Sequence, residues 1–410
     1  MYHPAFLFDA MTAAGVFLTV MGALLSGMFI FTLIKILYFF VNAGLVIRLF
    51  FVLRGEGISK ALRWGVCGIV VACSLAYPVS RYVDGNGWGV RALTFIGTFW
   101  LSLVLHGLLA WLALGVFRLL NWHWRWFAFA PARAAHWRHL ACAGIAGAAL
   151  LVSTLGWINA FYPTVRVVKL TTPAGIAPLR IVALSDTHLG RLASPEYFGK
   201  IVDLIEPLAP DIVLFAGDVI EYDYDPSEVE PTAAVLRRLK PRLGIWGVFG
   251  NHEYIGGREA LNKQLLDRIG IRILIDQWAE IAAAPGQKLL LIGRDDLSSE
   301  RAMDRKRKTL GELLAEAPPG DHLKILLDHQ PFNLEEAEAA GIFLQISGHT
   351  HNGQLFPFNG VVALIYENAY GYLRRGQTHY WVSSGAGTWG PSVRTTGRPE
   401  ILLIDIAAEK

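Results

Sequence analysis

The segment IFLQISGHTHNGQ, residues 342–354, contains a short apolar run that ends in two histidines. The run at 342–346 is typical of a strand covered on both faces, because such strands read as continuous apolar stretches. His349 and His351 follow it two residues apart, where histidines have little packing value. The segment therefore predicts a strand whose carboxyl end presents imidazole groups to a ligand.

The same pattern occurs four more times. The apolar runs lie at 179–184, 211–216, 244–249 and 323–327. They are followed by Asp186-Thr187-His188, Gly217-Asp218, Gly250-Asn251-His252-Glu253 and Asp328-His329. Helical stretches at 195–208, 231–239 and 258–269 intervene, which predicts an α/β domain. Because ligands of open α/β sheets bind beyond the carboxyl ends of the strands, we expect all five loops to meet at one crevice.

Each cluster is weak evidence when it stands alone. An isolated Asp-x-His is more often a turn or cap, and a lone His329 is more often a hydrogen-bonded core histidine. The full set in this order, with every member after a strand, favours a metal site. Three later runs, at 361–366, 379–383 and 400–406, lie closer together and predict a second, more antiparallel sheet.

The ordered set DTH, GD, GNHE, DH and GHTH, over about residues 179–406, resembles the signature of the calcineurin-like metallophosphoesterases. GHTHNGQ and the later SSGAGTWGP, residues 383–391, are similar to the membrane-associated bacterial phosphodiesterases within that family. The resemblance implies two mixed β-sheets sandwiched by helices in four layers. It also implies hydrolysis of a phosphodiester or phosphomonoester.

The resemblance further implies two divalent metal ions. The first would be held by Asp186, His188, Asp218 and His351, and the second by Asp218, Asn251, His329 and His349. Carboxylate, imidazole and amide ligands suit Mn, Fe or Zn. Two such ions about 3.5–4 Å apart can hold the attacking and leaving oxygens while a bridging hydroxide attacks phosphorus. His252 would act as general acid or as a donor to the phosphoryl oxygen.

Substrate contacts have two interpretations each. Arg191 and Arg394 would either hold a phosphate by bidentate hydrogen bonds or form solvent-exposed salt bridges. The charged stretch at 300–308 would either lie near anionic lipid headgroups or form a solvated helix face. Asn352 and Gln354 follow the last predicted ligand and would orient it or touch substrate.

The N-terminal part has a different composition. Hydrophobic residues are 53% of the chain and charged residues 17%, and the apolar excess lies before residue 162. Apolar segments at 11–33, 36–53, 64–80, 92–117 and 139–161 are long enough to cross a bilayer, which needs roughly 20 residues. Only Lys35 separates the first two, which would form a tight hairpin or one span plus an interfacial segment. The predicted organisation is a membrane region at 1–162, a linker with the first strand at 163–178, and the catalytic domain at 179–410.

Positive charge indicates the orientation. Lys and Arg collect at 48–63 and 118–138, and such loops stay cytoplasmic, so we expect the catalytic domain on the extracytoplasmic side of a bacterial inner membrane. Four tryptophans beside the second loop would be interfacial anchors or would pack between helices: Trp122, Trp124, Trp126 and Trp137.

Charge and tethering narrow the partners. A net charge of +3 gives no indication of nucleic acid as a primary partner. Tethering at a bilayer favours lipid-linked or headgroup phosphates as substrate. A transporter or sensor with a regulatory metal-binding module is the alternative function, and it predicts polar networks inside the membrane. A third possibility is a non-catalytic scaffold. Such a domain usually lacks some of the metal ligands of its family, whereas all of them are present in this sequence.

Overall fold

The computed structural model describes residues 27–54, 58–127, 134–172 and 177–408. These residues form two compact units, which divide between Pro78 and Val79. The helices that precede the α/β domain are α1 Gly27–Val52, α2 Lys60–Ser80, α3 Trp88–Trp124 and α4 Ala134–Ala160. Each holds a stretch long and apolar enough to cross a membrane, so the described residues contain four candidate spans.

Helix α1 corrects one expectation. It continues through Lys35 without a break, so of the two alternatives for the first two apolar segments the tight hairpin at that residue is wrong. A lysine with a long apolar stem is tolerated in such a helix because its charged end can reach polar surroundings. The other predicted segment, 11–33, lies mostly outside the described residues. Tyr38 joins α1 to α2 by donating a hydrogen bond from its hydroxyl to the carbonyl oxygen of Ser74, at 2.8 Å.

Helices α3 and α4 form an antiparallel pair. The rings of Phe95 and Trp157 lie 5.7 Å apart near one end. Deeper in the pair, the hydroxyl oxygens of Ser102 and Ser153 are 2.9 Å apart, and His106 Nδ1 lies 3.2 Å from Ser102 Oγ. Buried polar contacts of this kind stabilise helix pairs in lipid.

The four tryptophans lie at the opposite end of this pair from the α/β domain, and their exposure separates the two interpretations. Between 41% and 77% of the surface of each is exposed, with Trp122 the most exposed and Trp137 the least. They therefore do not pack between helices, and they have the placement of interfacial anchors.

The α/β domain contains two six-stranded sheets. Within the described part of the chain its strands are β1 Thr164–Thr172, β2 Leu179–Leu184, β3 Ile212–Ala216, β4 Ile245–Val248, β5 Arg272–Ile273, β6 Gln277–Ala284, β7 Gln287–Gly293, β8 Leu323–Leu327, β9 Leu344–Ser347, β10 Gly371–Arg375, β11 Thr378–Val382 and β12 Glu400–Ala408. Its helices are α5 Pro195–Ile205, α6 Val229–Leu236, α7 Glu259–Ile269, α8 Ser298–Met303, α9 Leu310–Glu316, α10 Leu334–Ala339 and α11 Phe358–Ile365.

Both sheets are mixed and pack face to face. The orders are β1-β12-β2-β3-β4-β5 and β10-β11-β9-β8-β7-β6, and antiparallel pairs occur only at β12–β2, β10–β11 and β6–β7 among these strands. Side chains such as Ile181 and Ile325 fill the space between the sheets. Phe215 and Leu326 point outward and pack beneath helices. The result is the predicted four-layer arrangement, because the central strands, such as β3, β8 and β9, are buried on both faces.

Of the last three apolar runs, which were expected to form the second sheet, two lie elsewhere. The run at 361–366 lies in helix α11, and the run at 400–406 is β12 in the first sheet. Only the run at 379–383 joins the second sheet, as β11. The error has a physical reason, since a short apolar run suits a buried strand or a helix equally well.

The chain enters the α/β domain beside the carboxyl end of β2, from which the first predicted metal loop projects. Arg166, Leu402 and Ala183 form one row across β1, β12 and β2. This row is three residues before Asp186, and β1 begins two residues before Arg166. Only three residues separate β1 from α4. The strand ends that carry the predicted metal loops are therefore the ones nearest to this candidate span.

The end of α4 packs tightly against a loop of the α/β domain. Gly156 accepts a hydrogen bond from Arg394 N at 2.9 Å, and Asn159 Nδ2 donates to the carbonyl oxygens of Arg394 and Gly397. A Cβ atom at Gly156 would lie 2.6 Å from Val393 Cγ1. The absence of a side chain therefore permits this close contact.

Gly156→Ala should loosen this contact, since overpacking costs about 1–3 kcal/mol. We expect a lower melting temperature for the detergent-purified protein, measured by intrinsic tryptophan fluorescence. Gly147→Ala on the same helix is the matched control, because a Cβ there meets nothing within 4 Å. Equal melting temperatures for the two variants would contradict the packing argument.

Candidate metal centre

Strand ends bring the predicted ligands together at one point. Loops after β2, β3, β4, β8 and β9 supply the side chains. Two groups of possible ligand atoms, each with all atoms within 4.8 Å of one another, are Asp186, His188 and His351, and Asp218, His329 and His349. Asn251 adjoins the second group, because its Oδ1 lies 2.7 Å from His349 Nδ1. All seven predicted ligands therefore lie in one crevice.

The first group is fully buried. His351 Nε2 lies 3.0 Å from His188 Nε2 and 3.2 Å from Asp186 Oδ1. Burial, together with the nearby charges of His188 and Arg394, lowers the pKa of His351 to about 4. A neutral imidazole is the form that binds metal, so this environment suits a ligand.

Asp218 lies between the two groups. Its Oδ2 is 3.2 Å from His329 Nε2 and 3.9 Å from His188 Nε2. Burial opposes ionisation of this carboxyl, but the neighbouring histidines outweigh it and hold its pKa well below the usual range. A charged carboxylate in this position can bridge two cations.

His329 provides a test of whether the residues fit a metal ion. Its Nδ1 lies 2.7 Å from the carbonyl oxygen of Ala216, which can only accept, so Nδ1 carries the proton. Its buried Nε2 faces Asp218 Oδ2 at 3.2 Å; burial would lower the pKa of His329, but the negative charge of Asp218 outweighs burial and raises this pKa well above its usual value. A cation bound between these two groups would take the place of the proton on Nε2. A carbonyl that fixes the tautomer in this way is typical of metal-binding histidines.

The backbone at these loops is unusual. Asp186, His188, Asp218, His349 and His351 all have positive φ angles, between 48° and 69°. Such conformations are uncommon for residues other than glycine and cost on the order of 1 kcal/mol each. They are retained where the surroundings impose them, and here they direct five side chains towards one point.

His252 lies at the open side of the centre. Its Nε2 is 4.0 Å from Asp218 Oδ2, and its side chain is 15% exposed. Burial would lower its pKa, but the charges of Glu221 and Asp218 raise the pKa to about 10. Bound cations would repel the imidazolium charge and make its proton easier to donate.

Two glutamates hold these groups in place and were not predicted as site residues. Glu221 lies 2.7 Å from His188 Nδ1 and 3.0 Å from His252 Nδ1, so one carboxylate orients both rings. Glu253 accepts backbone N–H groups from both the β3 and β4 loops. Glu253 belongs to the GNHE motif, whereas Glu221 has no sequence signal because its partners come from distant loops.

Neither Arg191 nor Arg394 forms the solvent-exposed salt bridge that was one alternative, because both side chains are largely buried; Arg191 does pair with Asp223, with its Nε 3.7 Å from Oδ2. Arg191 donates to the carbonyl oxygens of Ser80 and Val83, both at 2.7 Å. Arg394 is 1% exposed, donates to the carbonyl oxygens of Ser384 and Gly387, and lies 3.1 Å from His351 Nδ1. These bonds account for positioning roles, and neither placement supports contact with substrate.

The charged stretch at 300–308 differs from both interpretations at Arg307. This arginine is buried, and together with Arg294 it holds the carboxylate of Asp328. Asp328 precedes His329, so the ion pairs fix the end of β8.

Asn352 and Gln354, which follow the last predicted ligand, both bond to the backbone of a later loop. Gln354 bonds to the backbone of Trp389, and Asn352 Nδ2 donates to the carbonyl oxygen of Thr396.

The structure is a four-layer α/β domain in which histidine and aspartate side chains that could hold divalent cations are gathered at one point. Comparison gives the family: residues 179–353 match the profile of the calcineurin-like phosphoesterases. An uncharacterized metallophosphoesterase of Aquifex aeolicus is 33% identical over 233 residues, which are 56% of this chain and 85% of that protein. The chain belongs to the calcineurin-like metallophosphoesterases, a family of metal-dependent phosphoesterases.

Two further relatives are longer than the matched region. The uncharacterized metallophosphoesterase Cj0846 of Campylobacter jejuni is 30% identical over 253 residues, 60% of this chain and 64% of that protein. The transmembrane protein with metallophosphoesterase domain of Danio rerio is 33% identical over 270 residues, 62% of this chain and 60% of that protein. The chain thus matches less than two thirds of the length of either.

Gly250→Ala should disrupt the centre. A Cβ atom at this position would overlap Asp218 Oδ1 and lie 2.7 Å from His329 Nε2. We expect metal affinity to fall about tenfold or more, measured as metal content after dialysis. Gly199→Ala on α5 is the control, because its Cβ meets nothing within 4 Å. Full metal content in the Gly250 variant would contradict this geometry.

Proposed function

We propose that the protein is a membrane-anchored phosphoesterase with a dinuclear centre, which hydrolyses a phosphodiester or phosphomonoester of the cell envelope. The observation that carries the proposal is the position of Asp218 between two groups of ligand side chains, 3.2 Å from His329 and 3.9 Å from His188. The assigned ligands are Asp186, His188, Asp218 and His351 for one ion, and Asp218, Asn251, His329 and His349 for the other.

The proposed chemistry is hydrolysis at phosphorus. Two divalent ions, of Mn, Fe or Zn, would lower the pKa of a shared water and neutralise the phosphoryl oxygens when bound. The oxygen of water bonds to phosphorus, the bond from phosphorus to the leaving oxygen breaks, and one proton passes to the leaving group.

His252 is the proposed proton donor. It is partly exposed, as His349 also is, and Glu221 holds its Nδ1, so that Nε2 faces the crevice. A protonated imidazole there can donate to the leaving oxygen or to a phosphoryl oxygen.

The proposed location is a bacterial inner membrane with the catalytic domain on the extracytoplasmic side. Arg118 and Arg125, which belong to the basic stretch at 118–138, lie at the end of the α3–α4 pair away from the α/β domain. Basic loops remain cytoplasmic, so the opposite end would be outside. Transmembrane relatives in the same family support anchoring.

The alternative function, a transporter or sensor with a metal-binding module, predicts polar networks in the membrane. One such cluster joins Ser102, His106 and Ser153. It lies between two adjacent helices, where polar side chains commonly act as interhelical contacts. The cluster therefore favours helix pairing over a transport path.

His252→Ala should lower turnover about 10²–10⁴-fold, the usual contribution of a positioned acid. The assay compares an aryl phosphodiester, an aryl phosphomonoester and envelope phospholipids with the purified full-length protein and added Mn. Metal content must stay unchanged, so that loss of turnover reports proton donation. Unchanged turnover would remove His252 from the mechanism.

The control variant is His322→Ala, which removes a histidine that pairs with Glu280 on β6. It should turn over each ester like the unmodified protein. Removal of metal by a chelator should abolish hydrolysis of all substrates, and Mn should restore it.

A reporter fused after Lys410 tests the orientation. An enzyme reporter that is active only outside the cytoplasm should be active, because the basic loop at 118–138 is held inside. Replacing Arg118 and Arg125 with Gln should weaken the preference for the extracytoplasmic orientation, because Lys and Arg, rather than acidic residues, set the topology. Activity of a cytoplasm-specific reporter would contradict the assignment.

A further inference from the structure

Helix α11 is an apolar helix that leaves most of its large apolar side chains exposed. Its sequence is FNGVVALI, and residues 354–366 around it contain no charged side chain. None of its residues is buried, and Leu364 is 90% exposed. Phe358, Val361 and Ile365 are exposed as well. A helix with this composition normally lies in a protein core or in lipid.

Helix α11 is close to the candidate metal centre both along the chain and in space. It begins seven residues after His351, and Tyr366 at its end has its ring 6.1 Å from the ring of His349. Trp389 lies on the other side, with its ring 6.5 Å from that of His252. Trp389 and Phe356 are also exposed, so apolar surface adjoins the open side of the centre.

The same surface adjoins the end of a candidate membrane span. Phe356 N donates to Thr395 Oγ1 at 2.8 Å, and Thr395 N donates to the carbonyl oxygen of Gln354 at 2.9 Å. Arg394, the neighbour of Thr395, donates from its backbone to Gly156 of α4. Three consecutive contacts thus connect the span to the residues that lead into α11.

The distance of these contacts from the end of α4 is similar to the thickness of the polar zone of a bilayer. Gly156 lies four residues before the end of α4, about 6 Å along the helix axis. The polar zone on each side of a bilayer is about 5–7 Å thick, so the loop that contacts Gly156 reaches the level of the headgroups. Exposed residues at this end of the α3–α4 pair include Tyr82, Trp88 and Tyr162, which are the residue types of an interfacial belt.

We propose that Phe356, α11 and Trp389 form a surface that inserts into the leaflet beside α4 and admits a phospholipid-class substrate to the metal centre. Burial in lipid removes the exposed apolar side chains from water, and it places His252 at headgroup level. The occupant of this surface is the bilayer itself. The substrate part of the inference rests on the proposed phosphoesterase function, whereas insertion is independent of it.

Insertion is tested without an activity assay. In full-length protein with Cys67, Cys73 and Cys142 replaced by alanine, Leu364→Cys carries a nitroxide spin label in nanodiscs of phosphatidylethanolamine and phosphatidylglycerol. We expect the label to be accessible to oxygen and protected from a water-soluble nickel chelate. Equal nickel accessibility at Leu364 and at a control position would overturn insertion.

Leu204→Cys on α5 is the control position. Leu204 is exposed near the far end of the domain, where Arg180 at the start of β2 donates to the carbonyl oxygen of Leu208. The metal loops lie at the other end of β2. A label at Leu204 should therefore be accessible to nickel, because it faces water.

Substrate entry is tested with Leu364→Glu and Leu204→Glu. Turnover of nanodisc phospholipid should fall about tenfold or more for the first variant, because a charge resists insertion. Turnover of the water-soluble aryl phosphodiester should stay unchanged for both. An equal loss of turnover on both substrates in the Leu364→Glu variant would overturn lipid entry. Lipid entry would also be overturned if the unmodified protein hydrolysed the aryl ester but no phospholipid. Failure to hydrolyse any ester would instead reject the proposed function.

Discussion

The carboxylate of Glu253 is the contact on which the geometry of the centre depends. It accepts backbone N–H groups of Asp218, Val219 and Ile220 after β3, and of Gly250 after β4. A buried carboxylate is costly unless it is hydrogen-bonded, and these donors also satisfy four buried amides. The two loops are consequently locked together, which brings the residues around Asp218 into a fixed relation with those that follow Gly250.

Close approach between loops imposes a second constraint. A Cβ atom at Gly217 would lie 2.5 Å from His329 Nδ1, and one at Gly348 would overlap Asp186 Oδ2. Glycine is needed at these two points because another loop occupies the space of a side chain. The glycines of the GD and GHTH motifs therefore serve packing, whereas the acidic and histidine residues beside them are the proposed metal ligands.

The sequence allowed prediction of features that are local or repeated. The apolar strands and the polar residues after them were predictable because each strand end carries its own signal. The roles of Arg191 and Arg307 were not, since these arginines bond to Ser80 and Asp328, which are remote in sequence. Long-range pairing leaves no periodic pattern along the chain, and a charged side chain looks the same whether it faces solvent or a buried carboxylate.

The misassigned run at 361–366 is informative for the same reason. Its apolar residues suggested a buried strand, but the structure places them in α11, exposed and next to the end of a span. Apolar patterning indicates removal from water without specifying whether protein or lipid provides the cover. In a soluble domain only the protein interior is available, so the pattern predicts a core element. In a domain that is separated from a candidate span by only three residues, the bilayer would be a second apolar phase. The proposed insertion would then account for a helix that lies beside the candidate metal centre and is both apolar and largely exposed.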